Sequence, residues 1–305
     1  MQRISDTFYW LLRHPKVAIG LAIVLVFVIM AIVGPMIYPD SNAIDVTAII
    51  QPPSFQHWLG TTDKGQDVLH QTIAGARNSI VLSLSVAVLA NIVAVVVGLT
   101  AGYLGGWVDD VLSTVINIFL VIPALPLAIV MVGYFPTRGL VPLTIVLLVS
   151  GWAWGARVLR SQTLSMRERD FIQAARSAGD SSWRIIFYEI LPNEVALLAS
   201  SFVGTAVYAI LADVGLEFLG LGDPTGTGWG TMLYWAQSSN LLLAGVWWWF
   251  VAPGACVALL GAGLSLINFG IDEVANPKLR RERRVKTKAA QGSELTGEKV
   301  KEAVA

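Results

Sequence analysis

Apolar runs of membrane-spanning length return six times along this chain, and that recurrence limits the possible folds more than any other feature. They cover Val17–Tyr38, Ile80–Tyr103, Val111–Tyr134, Leu140–Leu159, Val195–Leu219 and Gly245–Phe269. A helix needs roughly 20 apolar residues to cross a hydrocarbon layer about 30 Å thick. Inside that layer every backbone polar group must find a partner within the protein, which a helix provides. The expectation is an all-α membrane protein with six transmembrane helices. Charged residues make up only 14% of the chain, where a soluble domain carries about 25%. The first run follows Arg13-His14-Pro15-Lys16, a start that resembles a secretion signal. It is too long for a signal core and no small-residue cleavage pattern follows, so it reads as a retained helix.

The loops set an orientation. With the N-terminus inside, Arg3, Arg13, Lys16, Arg157, Arg160, Arg167, Arg169, Arg176, Arg184 and the basic tail from Lys278 are cytoplasmic. Only Lys64, Arg77 and Arg138 fall outside, and the positive-inside rule selects this arrangement. The expected layout is a cytoplasmic N-terminus over 1–16 and a permease domain over 17–280, with an outer loop at 39–79 and a cytoplasmic loop at 160–194. A charged tail over 281–305 follows, expected to be disordered. Both termini are then cytoplasmic. The basic cluster Lys278–Lys288 is placed to touch anionic lipid.

One cytoplasmic stretch is polar between two apolar runs: Glu168 to Pro192. It reads as two short helices. The first, about Glu168 to Ala178, has acids in its first turn, where they complement the helix dipole. Gly179 suits the left-handed stop. Ser181 or Ser182 can cap the second helix, which carries Trp183, Ile186, Phe187 and Ile190, and Leu191-Pro192 ends it. Asn193 is then available to cap the next span. Small residues at Ala174, Ala175 and Gly179 allow another surface to approach the backbone. Amphipathicity alone reads as a helix resting on the membrane surface.

The spacing Ala174-Ala175, Gly179, Ile190-Leu191-Pro192 also resembles the EAA loop of ABC-importer permeases. Gln173 stands where the motif has Glu, keeping the size and losing the charge. Further along, His57-Trp58-Leu59-Gly60-Thr61-Thr62-Asp63 with Gly65-Gln66-Asp67 resembles the LGTD…GRD signature of dipeptide, oligopeptide and nickel permeases. Read physically, the same residues form a turn-rich loop in which Asp67 caps a helix. Ala101-Gly102-Tyr103-Leu104-Gly105-Gly106-Trp107-Val108-Asp109 matches the family too, and reads as a Gly-rich reversal. Pro123 and Pro126 fall inside the third run, where they can kink it. The run Asp213 to Gly222 is similar to the family's EAxLSFLGLG, with Asp213 in the Glu position and Glu217 in place of Ser. Asp223-Pro224 with Gly228-Trp229-Gly230 matches PxxSWG, with Gly228 in place of Ser.

The resemblance is to the dipeptide/oligopeptide/nickel permease family of binding-protein-dependent inner-membrane components. It implies a type I ABC-importer permease fold with a cytoplasmic coupling helix. It implies coupling to an ATPase through Gln173, Ala174, Ala175, Gly179, Ile190, Leu191 and Pro192. The partners it implies are a second homologous permease subunit, two ATP-binding subunits that hold ATP and Mg, and an extracytoplasmic binding protein. Lipid is a further partner. The implied cargo is a small peptide or oligosaccharide. Asp213, Trp229, Tyr234, Trp235 and Gln237 are candidates to line the pathway, flat aromatic faces and an amide being suited to a sugar ring or peptide side chain. For Asp213 an interhelical hydrogen bond is an equal alternative, because an intramembrane carboxylate must face protein or water. For the aromatic residues an interfacial belt is the alternative.

The chain itself carries no catalytic signature. No Gly-x-x-x-x-Gly-Lys-Ser/Thr loop for nucleotide occurs, no paired Cys or clustered His suggests a metal, and no serine-hydrolase elbow is present. Neither an enzyme nor a cofactor of its own is expected, and a net charge of zero gives no sign of nucleic acid. Cys256 stands alone in an apolar run as a small core residue. A secondary transporter or channel is the competing reading; few intramembrane charges and no visible inverted repeat weigh against it.

Overall fold

A computed structural model describes residues 15–241 and 243–275, with side chains described through 271. The expectations for 1–14, for the Lys278–Lys288 cluster and for the tail lie outside the described residues.

Ten helices are labelled here: α1 (Pro15–Ile37), α2 (Val68–Leu104), α3 (Gly106–Val121), α4 (Ala124–Val132), α5 (Leu140–Met166), α6 (Asp170–Ser177), α7 (Ser182–Arg184), α8 (Val195–Phe218), α9 (Trp229–Ser238) and α10 (Trp248–Ala275). A π-helical turn (Ile185–Ile190) and a 3₁₀ turn (Leu191–Asn193) continue α7 into α8. Among the described residues the only β contact is an isolated bridge between Thr61 and Asp67. Five helices are long and apolar enough to cross a membrane, and α3 with α4, bent by 85° at the break, brings the number to six if the pair is one span. The expected kink is therefore a break. Ile122 and Pro123 are both extended, and Pro123 lacks the N–H that would continue the ladder.

Helix α2 is the spine. It runs 37 residues without interruption, from the helix that Asp67 caps through the second apolar run. Asp67 caps its start by accepting from the His70 amide at 3.0 Å. It packs along α5, α8 and α1. Gly98 and Gly102, one turn apart, face α5 so closely that a Cβ at Gly98 would lie 2.6 Å from the Ala156 carbonyl oxygen. Such small-x-x-x-small faces are how membrane helices approach without a hydrophobic drive. The chain reversal thus falls later than Gly102, at Gly105 and Gly106, both with positive φ.

Three buried apolar clusters follow one another along α2. The first joins Phe27, Val68, Ala76, Trp229, Trp248 and Trp249. The second is central, with Leu82, Val86, Leu143, Val146 and Leu216. The last holds Leu99, Tyr103, Ile172, Ile185 and Ile190, so the loop over 167–194 is built into the core. Apolar side chains also point outward, among them Val26, Ile32, Ile118 and Val121. Such a surface suits lipid or a partner helix.

Candidate functional site

The loop between α5 and α8 folds as its sequence requires. Helix α6 opens with Asp170 and ends at Ala178. Gly179 takes φ +83, and the Asp180 amide returns to the Ala175 carbonyl at 3.1 Å, a glycine-closed helix end. Ser181 caps α7 by accepting from the Arg184 amide. Asn193 does not cap α8; its Nδ2 donates to the Glu189 carbonyl at 2.7 Å, and Glu194 holds the cap position without a capping bond.

Burial sorts the residues of this loop into two sets. Gln173, Ala174, Gly179 and Pro192 are exposed. Ala175 and Leu191 are half-buried against the last core cluster, and Ile190 is fully buried there. Ile190 is thus fixed inside this chain, whereas Ala174 and Gly179 are small and exposed, and Trp183 and Tyr188 later in the loop are largely exposed too. The loop is tied to its own helices. Arg176 donates to the Tyr103 hydroxyl at 3.2 Å and its guanidinium lies 4.9 Å from that ring centroid. Arg167 reaches the Gly102 carbonyl. Arg160 makes two bonds to Asp109, one of them 2.7 Å, joining the end of α5 to the start of α3.

Glu194 has no precedent in the sequence reading. It is 1% exposed, accepts from the Thr163 hydroxyl at 3.0 Å through Oε1, and leaves Oε2 without a partner. Burial pushes its carboxyl up to about 7. The available signal was a lone acid placed where a polar loop enters a 24-residue apolar helix.

At the other end, the loop over 39–79 is docked rather than open. Thr61 and Thr62 are fully buried, and the Asp67 carboxylate contacts His57 Nδ1 at 2.8 Å. Gln66 and Gln71 both reach Asn42, which donates to the Thr225 carbonyl. Ser239 donates to Asp63 at 3.0 Å. These residues are spent on internal bonds, in keeping with the physical reading of that motif.

The aromatic candidates separate. Trp229 is not at a mouth: it is fully buried, donates Nε1 to the Thr72 carbonyl at 2.9 Å, and meets Phe27 edge-on. Tyr234 and Trp235 are half-buried; Trp235 donates to the Pro224 carbonyl and carries Lys64 4.4 Å from its ring centroid. Gln237 is exposed. Of the three consecutive tryptophans, Trp247 points outward while Trp248 and Trp249 are buried. Trp248 donates Nε1 to the Thr61 carbonyl, which makes it a strut of the docked loop.

Asp213 sits on α8, 1% exposed, and its Oδ1 has no partner. The interhelical hydrogen bond expected as one alternative is not made. One turn later Glu217 accepts from the Thr231 amide at 3.0 Å, anchoring the N-terminal turn of α9. A Cβ at Gly228 would lie 2.7 Å from Glu217 Oε2, and one at Gly230 2.5 Å from its Cβ. Gly228 has extended φ, so any preference for glycine there comes from the room the Glu217 carboxylate takes. The two departures from the family pattern, a larger residue at 217 and a smaller one at 228, therefore fit one another. Asp213 and Glu217 line a cavity of about 220 Å3 with Asn78, Leu82, Leu143, Asp223, Thr227 and Thr231.

Comparison with known proteins agrees with this architecture. Residues 94–281 match the family described as binding-protein-dependent transport system inner membrane component. Residues 3–53 match the N-terminal TM domain of oligopeptide transport permease C. The oligopeptide transport system permease protein OppC of Mycobacterium tuberculosis is 35% identical over 276 residues, 90% of this chain and 94% of that protein. The dipeptide transport system permease protein DppC of Bacillus subtilis is 32% identical over 279 residues, 91% and 86% of the two chains. Among solved structures, an inward-facing conformation of the MetNI methionine ABC transporter matches with a TM-score of 0.55 at 16% identity. That match covers 67% of this chain and 94% of the other. Those relatives are transport permeases rather than enzymes, and with its multiple apolar helices this chain belongs to the same family, the binding-protein-dependent transport system inner membrane components.

Proposed function

We propose that this chain is one of two permease subunits of an ATP-driven ABC importer that moves small peptides handed over by an extracytoplasmic binding protein. The observation that carries the reading is similarity to named oligopeptide and dipeptide permeases across nine tenths of the chain. That those relatives are oligopeptide and dipeptide permeases favours a peptide over the oligosaccharide that the sequence also allowed.

The local geometry supports a division of labour. The loop over 167–194 faces the cytoplasm by the positive-inside count, and its exposed small-residue face at Ala174 and Gly179 receives the ATPase subunit. Gln173 contributes size there without charge, and Leu191 with Pro192 sets the exit into α8. ATP and Mg are held by those partner subunits. Their closure moves the loop, and Arg176, Tyr103 and the buried Ile172, Ile185 and Ile190 pass the movement to α2 and α5. Tyr234, Trp235 and Gln237 lie on the outer side by the same count.

Reconstitution tests the reading. The chain is purified with its partner permease, ATPases and binding protein, placed in liposomes, and given a labelled tripeptide. Uptake that requires ATP and the binding protein is expected. Tripeptide uptake by this chain alone, without ATPase subunits, would overturn it in favour of a secondary transporter.

A further inference from the structure

From the contents of the cavity beneath the Asp223–Gly228 turn, and resting on the peptide-import reading, we infer that it binds a primary ammonium group. For a peptide cargo this is its amino terminus.

The lining carries the argument. No Lys or Arg lines the cavity, and three carboxylates do: Asp213, Glu217 and Asp223. Several of the donors are already committed. Asn78 gives Nδ2 to the Thr227 carbonyl at 2.6 Å, Thr231 gives its amide to Glu217, and the Thr231 hydroxyl turns to the Asp223 carbonyl. The Thr227 hydroxyl remains, and beside it acceptor capacity is left over. Asp213 Oδ1 is unpartnered although the residue is 1% exposed. Asp223 at the rim receives the Thr225 hydroxyl at 2.7 Å and the Thr225 amide at 2.9 Å on Oδ1, and these bonds hold its carboxyl below the usual range. A buried carboxylate with no donor is costly; a proton relieves that cost when the site is empty, and a donor-rich cation relieves it when the site is filled.

The cation's identity follows from geometry. Among the described residues no three His, Cys, Asp or Glu converge in a way that could hold a metal ion. An ammonium needs less: it brings three N–H donors to separate oxygens and tolerates an open side. The cavity, about 220 Å3, falls below the roughly 300–1,000 Å3 of pockets that enclose a whole small ligand. It has room for one end of a longer molecule. Leu82, Leu140 and Leu143 supply an apolar wall for the residue attached to that nitrogen.

The test uses the assembled complex in detergent. A water-soluble carbodiimide couples a carboxylate to a neighbouring primary amine, forming an amide while the carbodiimide takes up the water. Dialanine is titrated in, and adducts are located by peptide mass mapping. We expect an adduct at Asp213 or Glu217 that saturates with dialanine and is suppressed by a tripeptide but not by its N-acetylated form. N-acetyl-lysine amide, a side-chain ammonium, separates a lysine site from an amino-terminal one: a stronger adduct than dialanine's would overturn the amino-terminal assignment. Adducts that never saturate, as expected at exposed Asp40, would overturn the site, as would suppression by potassium chloride and not by tripeptide. Tripeptide uptake is measured in the same preparation. Uptake without a saturable adduct removes this inference and leaves the importer; a saturable adduct without uptake removes the peptide importer and leaves an amine site.

Discussion

Single residues carry much of the departure from the family pattern, and the Glu217–Gly228 contact is the clearest case. Because a side chain at 228 would displace the Glu217 carboxylate from the Thr231 amide, Gly228→Ser should overpack the turn and cost roughly 1–3 kcal/mol. In a Glu217→Ser background the same change should be nearly silent, a coupling on the order of 1 kcal/mol. Thermal midpoints of the four purified complexes check this; additive losses would show that the two positions do not compensate. Glu194 makes a pH-dependent statement. Its carboxyl is raised from the ordinary 4.5 to about 7 by burial, so the folded state binds the proton more tightly than the unfolded one. That contribution is complete below pH 4.5 and is lost as pH rises through about 7. The thermal midpoint should therefore fall more steeply from about pH 5 to about pH 8 in the native complex than in Glu194→Gln. Parallel curves would mean that Glu194 does not titrate in this range. Neither relation was legible from the sequence. Residues 217 and 228 touch only because a turn folds back, and Glu194 looked like part of a polar loop until Thr163 was seen beside it.

Elements were more legible where the signal is local. Hydropathy marks a span through its own residues, and Gly179 and Ser181 mark helix ends through backbone needs that any neighbour would respect. Pro123 signalled a kink, but the 85° turn between α3 and α4 depends on what packs around it. The docked loop was not legible either, because Asn42 and Thr225 are 183 positions apart and nothing local marks their meeting. The loop between α5 and α8 shows the practical gain from structure. Ala175 is half-buried in its own core, so a charge there tests folding together with docking. Ala174 is the cleaner position. Ala174→Glu should leave the permease pair intact by size-exclusion chromatography while co-purification of the ATPase subunits falls about tenfold, near 1.4 kcal/mol of docking energy. Full retention of the ATPases would remove Ala174 from the contact. Trp248 supports Thr61 and its loop, so Trp248→Ala should lower complex yield itself.

At the scale of the molecule, the proposed orientation puts these sites in two different compartments. In a Cys256→Ser background, Ser54→Cys should react with an impermeant maleimide added outside intact cells, and Ser182→Cys only after permeabilisation. The opposite pattern would invert the chain and detach the loop face from ATP. Both positions are exposed, so accessibility is not the limiting factor. Helix α2 connects the two regions. Its 37 residues extend about 55 Å at 1.5 Å per residue, well beyond the roughly 30 Å of hydrocarbon. One end is pinned by Asp67 to the docked outer loop and the other lies under Arg176. Between them there is no proline, and of its three glycines Gly98 and Gly102 are clamped against α5 while Gly75 rests against Trp229 and Gly228. Such a rod does not damp a force. Tilting its inner end moves its outer end by a comparable distance at the same moment. The two faces of this subunit therefore keep time mechanically, without a chain of intermediate switches to be thrown in sequence.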